Sequence, residues 1–336
     1  MKNKKPTLKD VAKKAGVSVS TVSFVINNNS SISTAVRKKV QKIIEDIGYI
    51  PNSSAQNMRT GKSMTIGLIL PDLANPFFPE LAQAVENTAR EHGYSTVLID
   101  CDLNKSIEEE SIDRLCKWGV DGIVWFPVSQ EDTTSALQSS VPITVVDRQL
   151  KNYDTVVPNH FQGGVLQAEH LLNFGHERIG MISGPLSVDN MKDRRDSFIE
   201  TVSGKAKMIW EIENPFSMTI DSKVKEKILE GGVTAIVAGN DIIAIGAMEI
   251  LKQAGVKVPQ DVSVIGFDNI SWGQWMSPTL TTISLPVHEL GSQAFNFLLR
   301  RINKPSSTRY NLCMDLDIIP RGSVTDLKNS TEFQKE

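Results

Sequence analysis

Up to about residue 50 the apolar positions fall in short helical stripes; past residue 63 they fall in compact runs. Leu8, Val11, Ala12 and Ala15 recur at helical spacing. Thr7 is placed to cap this helix, Asp10 suits its positive end, and Gly16 accepts the left-handed backbone that stops it. Ser18 then starts a second helix two residues later, and so short a turn forces the steep crossing of a helix-turn-helix. Ser33 starts a third, whose Val36, Val40, Ile43, Ile44 and Ile47 close a small core. On the second helix Val22, Val25 and Ile26 share the inward face. Ser20, Ser23 and Phe24 are therefore expected to point outward, with Val19 at the edge. Phe24 either meets thymine methyls in a major groove or folds back over the core.

The compact runs TIGLIL, STVLID, GIVWF and ITVVD predict buried strands, with helices around 77–92, 106–118 and 133–139. RIGMIS, AKMIWEI, TAIVAG and VSVIGF form a second set, with helices near 161–175, 190–203, 221–230 and 240–254. Such alternation implies parallel sheets covered on both faces, and two sets of similar length imply two lobes with a ligand cleft at the strand ends. Polar residues at those ends are the site candidates: Asp72, Asp147, Arg148, Asn240, Asp241 and Asp268. Carboxylates and amides there suit the hydroxyls of a sugar-like ligand, Arg grips bidentately, and Phe77 and Phe78 can stack on a ring. Helix capping is the competing explanation for each, Asp241 above all.

Residues 51–62, PNSSAQNMRTGK, are small and polar. They read as a linker, or as a short helix from Asn52 through Ser53, Ala55, Gln56 and Met58 that is too brief to hold without a partner.

A chain of 336 residues suits two or three domains. Its net charge of −3 conceals an asymmetry: residues 1–62 hold 12 Lys and Arg against 3 acids, whereas the rest holds 24 against 36. A basic head on an acidic body is the footprint of a nucleic-acid binder, and Lys4, Lys5, Lys9, Arg37, Lys38 and Lys39 suit phosphates. Cys101, Cys116 and Cys313 are odd in number and scattered, so neither a disulfide framework nor a zinc site is expected, which suits a reducing cytoplasm. The N-terminus lacks an apolar segment and no run approaches the length of a membrane span, so no export signal or membrane partner is expected. The dinucleotide, P-loop and nucleophile-elbow motifs are absent, and GHERI at 175–179 reads as a turn, so no catalytic residue, metal or cofactor is expected. A plain solute-binding protein would carry an export signal and no basic head.

TLKDVAKKAGVSVSTVSFVIN, followed by GYIPNSSAQNMRTGKSMTIGLILPDLANPFF, resembles the LacI/GalR family of transcription regulators, and the resemblance runs from Thr7 to about Arg321. It implies an all-α helix-turn-helix DNA-binding head plus an α/β, two-lobed, periplasmic-binding-protein-like effector domain. The divisions expected are a head at 1–50, a hinge at 51–62 and an effector-binding and dimerisation domain at 63–336, with lobe crossings near 160, 287 and 320. By resemblance Val19, Ser20 and Phe24 read base edges. Thr7, Ser18, Thr21, Ser23 and Asn27 complete the head's contacts, while Ala55 and Met58 belong to a hinge pair that enters the minor groove, Met58 standing at the wedge where Leu is usual. Many members have Arg or His in place of Phe24, so the operator sequence does not carry over. NPFF at 75–78, RRDSF at 194–198 and GFD at 266–268 match family elements and imply that Phe77, Phe78, Arg194 and Asp268 contact an effector. Asn240 and Asp147 lie near it, and Phe216 is a further aromatic candidate. Ser197 departs from the usual Gly, and Asn159 and His160 from a frequent Asp-Asn. A homodimer acting on double-stranded operator DNA as a repressor under a small-molecule effector is the expectation.

Overall fold

The computed structural model describes residues 6–26, 31–49 and 61–330. The chain divides into two compact units, Met1–Ser63 and Met64–Glu336.

The first unit is a three-helix core in which two of the three expected caps form. In α1 (Leu8–Ala15) Thr7 and Asp10 form a reciprocal capping box and Gly16 closes the helix at φ 65°. Ser18 Oγ accepts from the Thr21 amide at 3.0 Å and caps α2 (Val19–Ile26). Ser33 holds the N-cap position of α3 (Thr34–Ile47) but makes no side-chain capping bond. Val11, Ala15, Val22, Val25 and Val40 are buried against one another, with Val36, Ile43, Ile44 and Ile47 packed around them.

The second unit holds β1 (Thr65–Leu70), α4 (Phe77–Glu91), β2 (Ser95–Asp100), α5 (Lys105–Trp118), β3 (Gly122–Trp125), α6 (Thr134–Leu137), β4 (Ile143–Val146) and β5 (Asp154–Pro158). It continues with α7 (His160–Asn173), β6 (Arg178–Ser183), α8 (Asp189–Val202), β7 (Lys207–Glu213), α9 (Ser222–Glu230), β8 (Ala235–Ala238), α10 (Asp241–Gln253) and β9 (Ser263–Asp268). The remainder is α11 (Trp272–Trp275), β10 (Thr281–Ser284), α12 (Val287–Asn303), β11 (Asn311–Met314), β12 (Asp317–Ile319) and α13 (Leu327–Ser330). Two sheets form, ordered β11-β5-β4-β3-β1-β2 and β12-β10-β9-β8-β6-β7. All pairings are parallel except β10 with β12. Two strands expected to be buried, β2 and β7, carry exposed positions because each is an edge strand with a neighbour on one side only.

Each sheet is one lobe, and the chain passes between them three times. It crosses between Pro158 and His160, between Ser284 and Val287, and at Asp315 and Leu316. The third crossing precedes the expected position near 320 because β12 already begins at Asp317. The core is continuous across the crossings: Phe267, Ile270, Ile283 and Leu285 of the second lobe pack in the same cluster as Leu81, Val85 and Phe126 of the first.

Candidate functional site

On the first unit, α2 is wedged between its neighbours, and that widens its buried arc. Ser23, expected to point outward, is only 7 % exposed and faces the core. Phe24 does not fold back: it is 43 % exposed and Val19 41 %, with Ser20 exposed beside them. This leaves two apolar side chains and a hydroxyl on one surface. Thr7 is committed to Asp10, donating from its hydroxyl at 2.7 Å. Ser18 lies 2.7 Å from the Ser20 hydroxyl and 2.8 Å from that of Thr21. Asn27, Ala55 and Met58, and the 52–58 hinge helix, lie outside the described residues, as do Lys4 and Lys5.

On the second unit a cavity opens between the two lobes. Asp72, Phe77, Phe78, Asp147, Arg194, Phe216, Asn240 and Asp268 all line it. The first lobe supplies the turns after β1 and β4 and the start of α4. The second supplies α8, the ends of β8 and β9, and the segment after β7. Phe77 and Phe78 meet edge-on, their ring centroids 5.2 Å apart, and Phe78 in turn leans on Phe126. Asn240 is both wall and cap, its Oδ1 accepting from the Ile243 amide at 3.0 Å. Asp241 is outside the lining: fully buried, it accepts from the Thr282 hydroxyl at 2.6 Å and the Ile270 amide at 2.9 Å, which is structural work.

The floor is a polar network crossing between lobes. Asp147, held at φ 66° after β4, accepts from Arg148, from His160 Nε2 at 2.8 Å and from Asn190 Nδ2 at 2.9 Å. Arg194 donates from Nε to His160 Nδ1 at 3.1 Å, from Nη1 to the Gly239 carbonyl at 2.7 Å and from Nη2 to Asp268 Oδ1 at 3.4 Å. Its guanidinium lies 3.5 Å from the centroid of the Phe267 ring. Since His160 Nδ1 accepts, the ring proton sits on Nε2 and is given to Asp147. Helix packing sets this geometry: a Cβ on Gly164 in α7 would overlap the Arg194 carbonyl and the Ser197 hydroxyl, so the bare glycine lets α8 approach. Ser197 donates to the Asp193 carbonyl at 2.7 Å within its own helix, so it occupies the place of the usual Gly without turning Arg194 away.

Burial and neighbours divide the carboxyls. Burial works to raise Asp147, yet Arg148, His160 and Arg194 hold it well below the ordinary carboxylate range. Burial pushes Asp268 up to about 7; Arg194 opposes this and the Asp147 charge adds to it. Burial, helped by Arg194 and Arg148, takes His160 down to about 4 against the pull of Asp147, which keeps the imidazole neutral. Among the described residues no group of three or more His, Cys, Asp and Glu is placed to hold a metal, and no helix is long and apolar enough to cross a membrane.

Asn190 was not singled out in the sequence, although it lies four residues before Arg194 on one helix, a spacing that shares a face. Asn75, the first residue of NPFF, also lines the cavity, as do Leu103, Val128, Val188 and Met191, which no motif flags.

A helix-turn-helix unit carried with a two-lobed domain whose cleft is walled by aromatic rings, carboxylates and arginine defines a DNA-binding regulator with a small-molecule pocket. Residues 7–52 match the family described as bacterial regulatory proteins, lacI family, and residues 63–317 match the periplasmic binding proteins and sugar binding domain of the LacI family. The chain belongs to the LacI family of bacterial regulatory proteins. It is similar to the ribose operon repressor of Halalkalibacterium halodurans, 33 % identical over 96 % of this chain and 98 % of that one. Among solved structures, the lac repressor dimer bound to operator and the anti-inducer ONPF superposes with a TM-score of 0.85 at 27 % identity, over 96 % of this chain and all of that one. A LacI-family regulator from Enterococcus faecium with bound ribose superposes with a TM-score of 0.71 at 28 % identity, over 78 % and 99 %.

Proposed function

We propose that this chain is a cytoplasmic, homodimeric, non-enzymatic repressor whose grip on operator DNA is set by a sugar-like effector held between the lobes. The observation that carries the reading is the cavity itself, where Asp147 of one lobe and Asn190, Arg194 and Asp268 of the other meet beside Phe78 and Phe216. Both guanidiniums are matched by carboxylates, so a phosphate has no surplus positive charge to meet, while a neutral polyol has donors and acceptors on every side. The ribose operon repressor among the relatives and the ribose-bound regulator among the solved structures support a sugar.

In this reading residues 1–50 form the DNA-binding head, 51–62 the hinge and 63–336 the effector and dimerisation domain. The eight cavity residues Asp72, Phe77, Phe78, Asp147, Arg194, Phe216, Asn240 and Asp268 contact the effector. Val19, Ser20 and Phe24 address base edges; Thr7, Ser18, Thr21 and Asn27 support the head on the duplex, and Ala55 and Met58 act in the minor groove. Ser23 steadies α2 from the core side. Ligand-driven lobe closure repositions the paired hinges and so alters operator affinity, by as much as the ligand's affinities for the two states differ. A thermal-shift screen against pentoses, hexoses, sugar phosphates and purines, followed by operator titration with and without each hit, tests this. Neutral sugars should raise the melting temperature and change operator affinity. A hit confined to sugar phosphates or purines would replace the effector assignment.

A further inference from the structure

The junction at which the chain enters the effector domain is pinned more firmly than the end of a linker requires. Met64 opens the second unit at φ 53°, a left-handed conformation that a residue with a side chain adopts only when its surroundings hold it there. Its carbonyl accepts from the Ser95 amide at 2.9 Å, and the Thr65 carbonyl accepts from the Asp121 amide at 2.8 Å. Those two bonds extend the pairings of β1 with β2 and with β3. The Met64 amide lies beyond both ladders and donates to a side chain instead, Asp121 Oδ2 at 3.0 Å. Asp121 therefore brackets residues 64 and 65, and its carboxylate makes the bond of the three that the sheet does not supply.

Two helices meet at this junction. Phe77 and Phe78 of the cavity wall open α4, whose 15 residues carry it roughly 22 Å before Gly93 turns the chain at φ 79°. The Met64 side chain lies across that turn, its Cε 3.6 Å from where a Gly93 Cβ would stand. Tyr94 follows, buried and edge-on to Phe295 of α12 at 5.7 Å, and α12 begins at the second lobe crossing. Burial first, and then the Asp121 charge, hold the Tyr94 hydroxyl above its ordinary range. Asp121 itself is not among the described residues that line the cavity. We infer that Asp121 is a positioning residue for operator binding. Through the Met64 amide it fixes the backbone from which the hinge departs, and it ties that departure to the far end of α4. This rests on the hinge reading given above and deepens it by naming the residue that joins hinge to lobe. Plain support of the strand start is the competing role, and it would leave operator binding unmoved.

The test uses the full-length protein, the duplex that the parent selects from a random pool, and an unselected duplex of the same length. Asp121→Ala removes the acceptor and should weaken binding to the selected duplex roughly 5- to 50-fold. Its affinity for the unselected duplex should stay within about twofold, because charge alone supplies that binding and no particular hinge departure is needed. Asp121→Asn keeps an acceptor for the Met64 amide and should lose less than about threefold on either duplex. Parental affinity in Asp121→Ala would overturn the assignment, as would equal losses in the Ala and Asn variants or an equal loss on both duplexes. A DNA-free arm reads the contact itself. Hydrogen exchange at the Met64 amide should quicken at least about tenfold in Asp121→Ala and change little in Asp121→Asn. An unchanged rate in Asp121→Ala overturns the anchor. A parent that selects no duplex strikes the repressor reading, and the exchange rates still decide whether Asp121 holds the junction.

Discussion

Replacing Arg194 by Ala removes the group that ties the second lobe's wall together. The side chain donates to His160, to the Gly239 carbonyl and to Asp268, and lies on the Phe267 ring. Its loss leaves the Asp268 carboxylate buried without a counter-charge. Breaking a buried pair by deleting one partner costs about 3–5 kcal/mol. For a domain of this size that lowers the melting temperature by roughly 6–20 °C. The deficit should grow with pH. A carboxyl whose pKa is raised in the fold contributes stability that is present at low pH and is lost as pH climbs toward the folded value, about 7 for Asp268. Removing the guanidinium lifts that upper end further, because Arg194 is the influence that opposes burial there. Arg194→Ala should therefore melt closer to the parent at pH 5.5 than at pH 8. The double variant Arg194→Ala/Asp268→Asn should recover part of the loss at pH 8, since no charge is then stranded. Scanning calorimetry of the three proteins at both pH values supplies the answer. A single variant melting within about 2 °C of the parent at pH 8, or a double variant no better than the single, would refute the pairing as a stabilising element.

If the effector donates hydrogen bonds to ionised Asp268, binding releases a proton from a group that titrates near about 7. Affinity should then rise between pH 6 and pH 8, by at most about tenfold per pH unit, and titration calorimetry of Asp268→Asn should show a flat profile. Phe24→Ala should relax base preference and Met58→Ala should reduce operator bending, each at a cost of about 1–3 kcal/mol; binding equal to the parent's at matched salt would remove both from the groove. Trp275 is 85 % exposed, and its chain neighbour Met276 lines a mixed groove with Met248, Val256, Val258, Glu249, Lys252 and Lys257; so large an exposed aromatic is a candidate contact for a second subunit. Trp275→Asp should weaken the homodimer, read as a shift toward monomer in sedimentation at micromolar concentration.

The strands legible in the sequence were those whose apolar runs are long enough to stand out. TIGLIL and RIGMIS become β1 and β6 over the same six residues. The runs that went unread are short or diluted by polar residues: DTVVP for β5, TTIS for β10, NLCM for β11 and DII for β12. Their burial comes from neighbours far away in sequence, such as Asn311 beside Thr155, and no local window contains that partner. The long helix α12 was also missed, though Leu290, Ala294, Phe295 and Leu298 form its buried stripe. Gly291 obscures it, and the fold explains that residue: a Cβ there would come within 2.6 Å of the Ala84 Cβ on α4. At the site, strand-end position was enough to single out Asp72, Asp147, Asn240 and Asp268, because the ends of parallel strands face the cleft. The Arg194–His160–Asp147 chain was not legible. It joins an α8 residue, an α7 residue and a β4 turn whose proximity exists only after the lobes pack.

The late strands have a consequence for how the protein is made. The first sheet waits for β11 and the second for β12, both laid down after residue 310. Until a ribosome reaches them, β5 and β10 each present a bare hydrogen-bonding edge, the kind of surface on which nascent chains stick to one another. Neither lobe can be finished before the other during synthesis, so a chain cut short by even a few dozen residues loses both halves of the sensor at once. The head, by contrast, has its own core and is complete within the first 63 residues. A premature stop near the C-terminus should thus yield a molecule with an intact DNA reader and no working receiver, a hazard that falls to chaperones and proteases rather than to the effector.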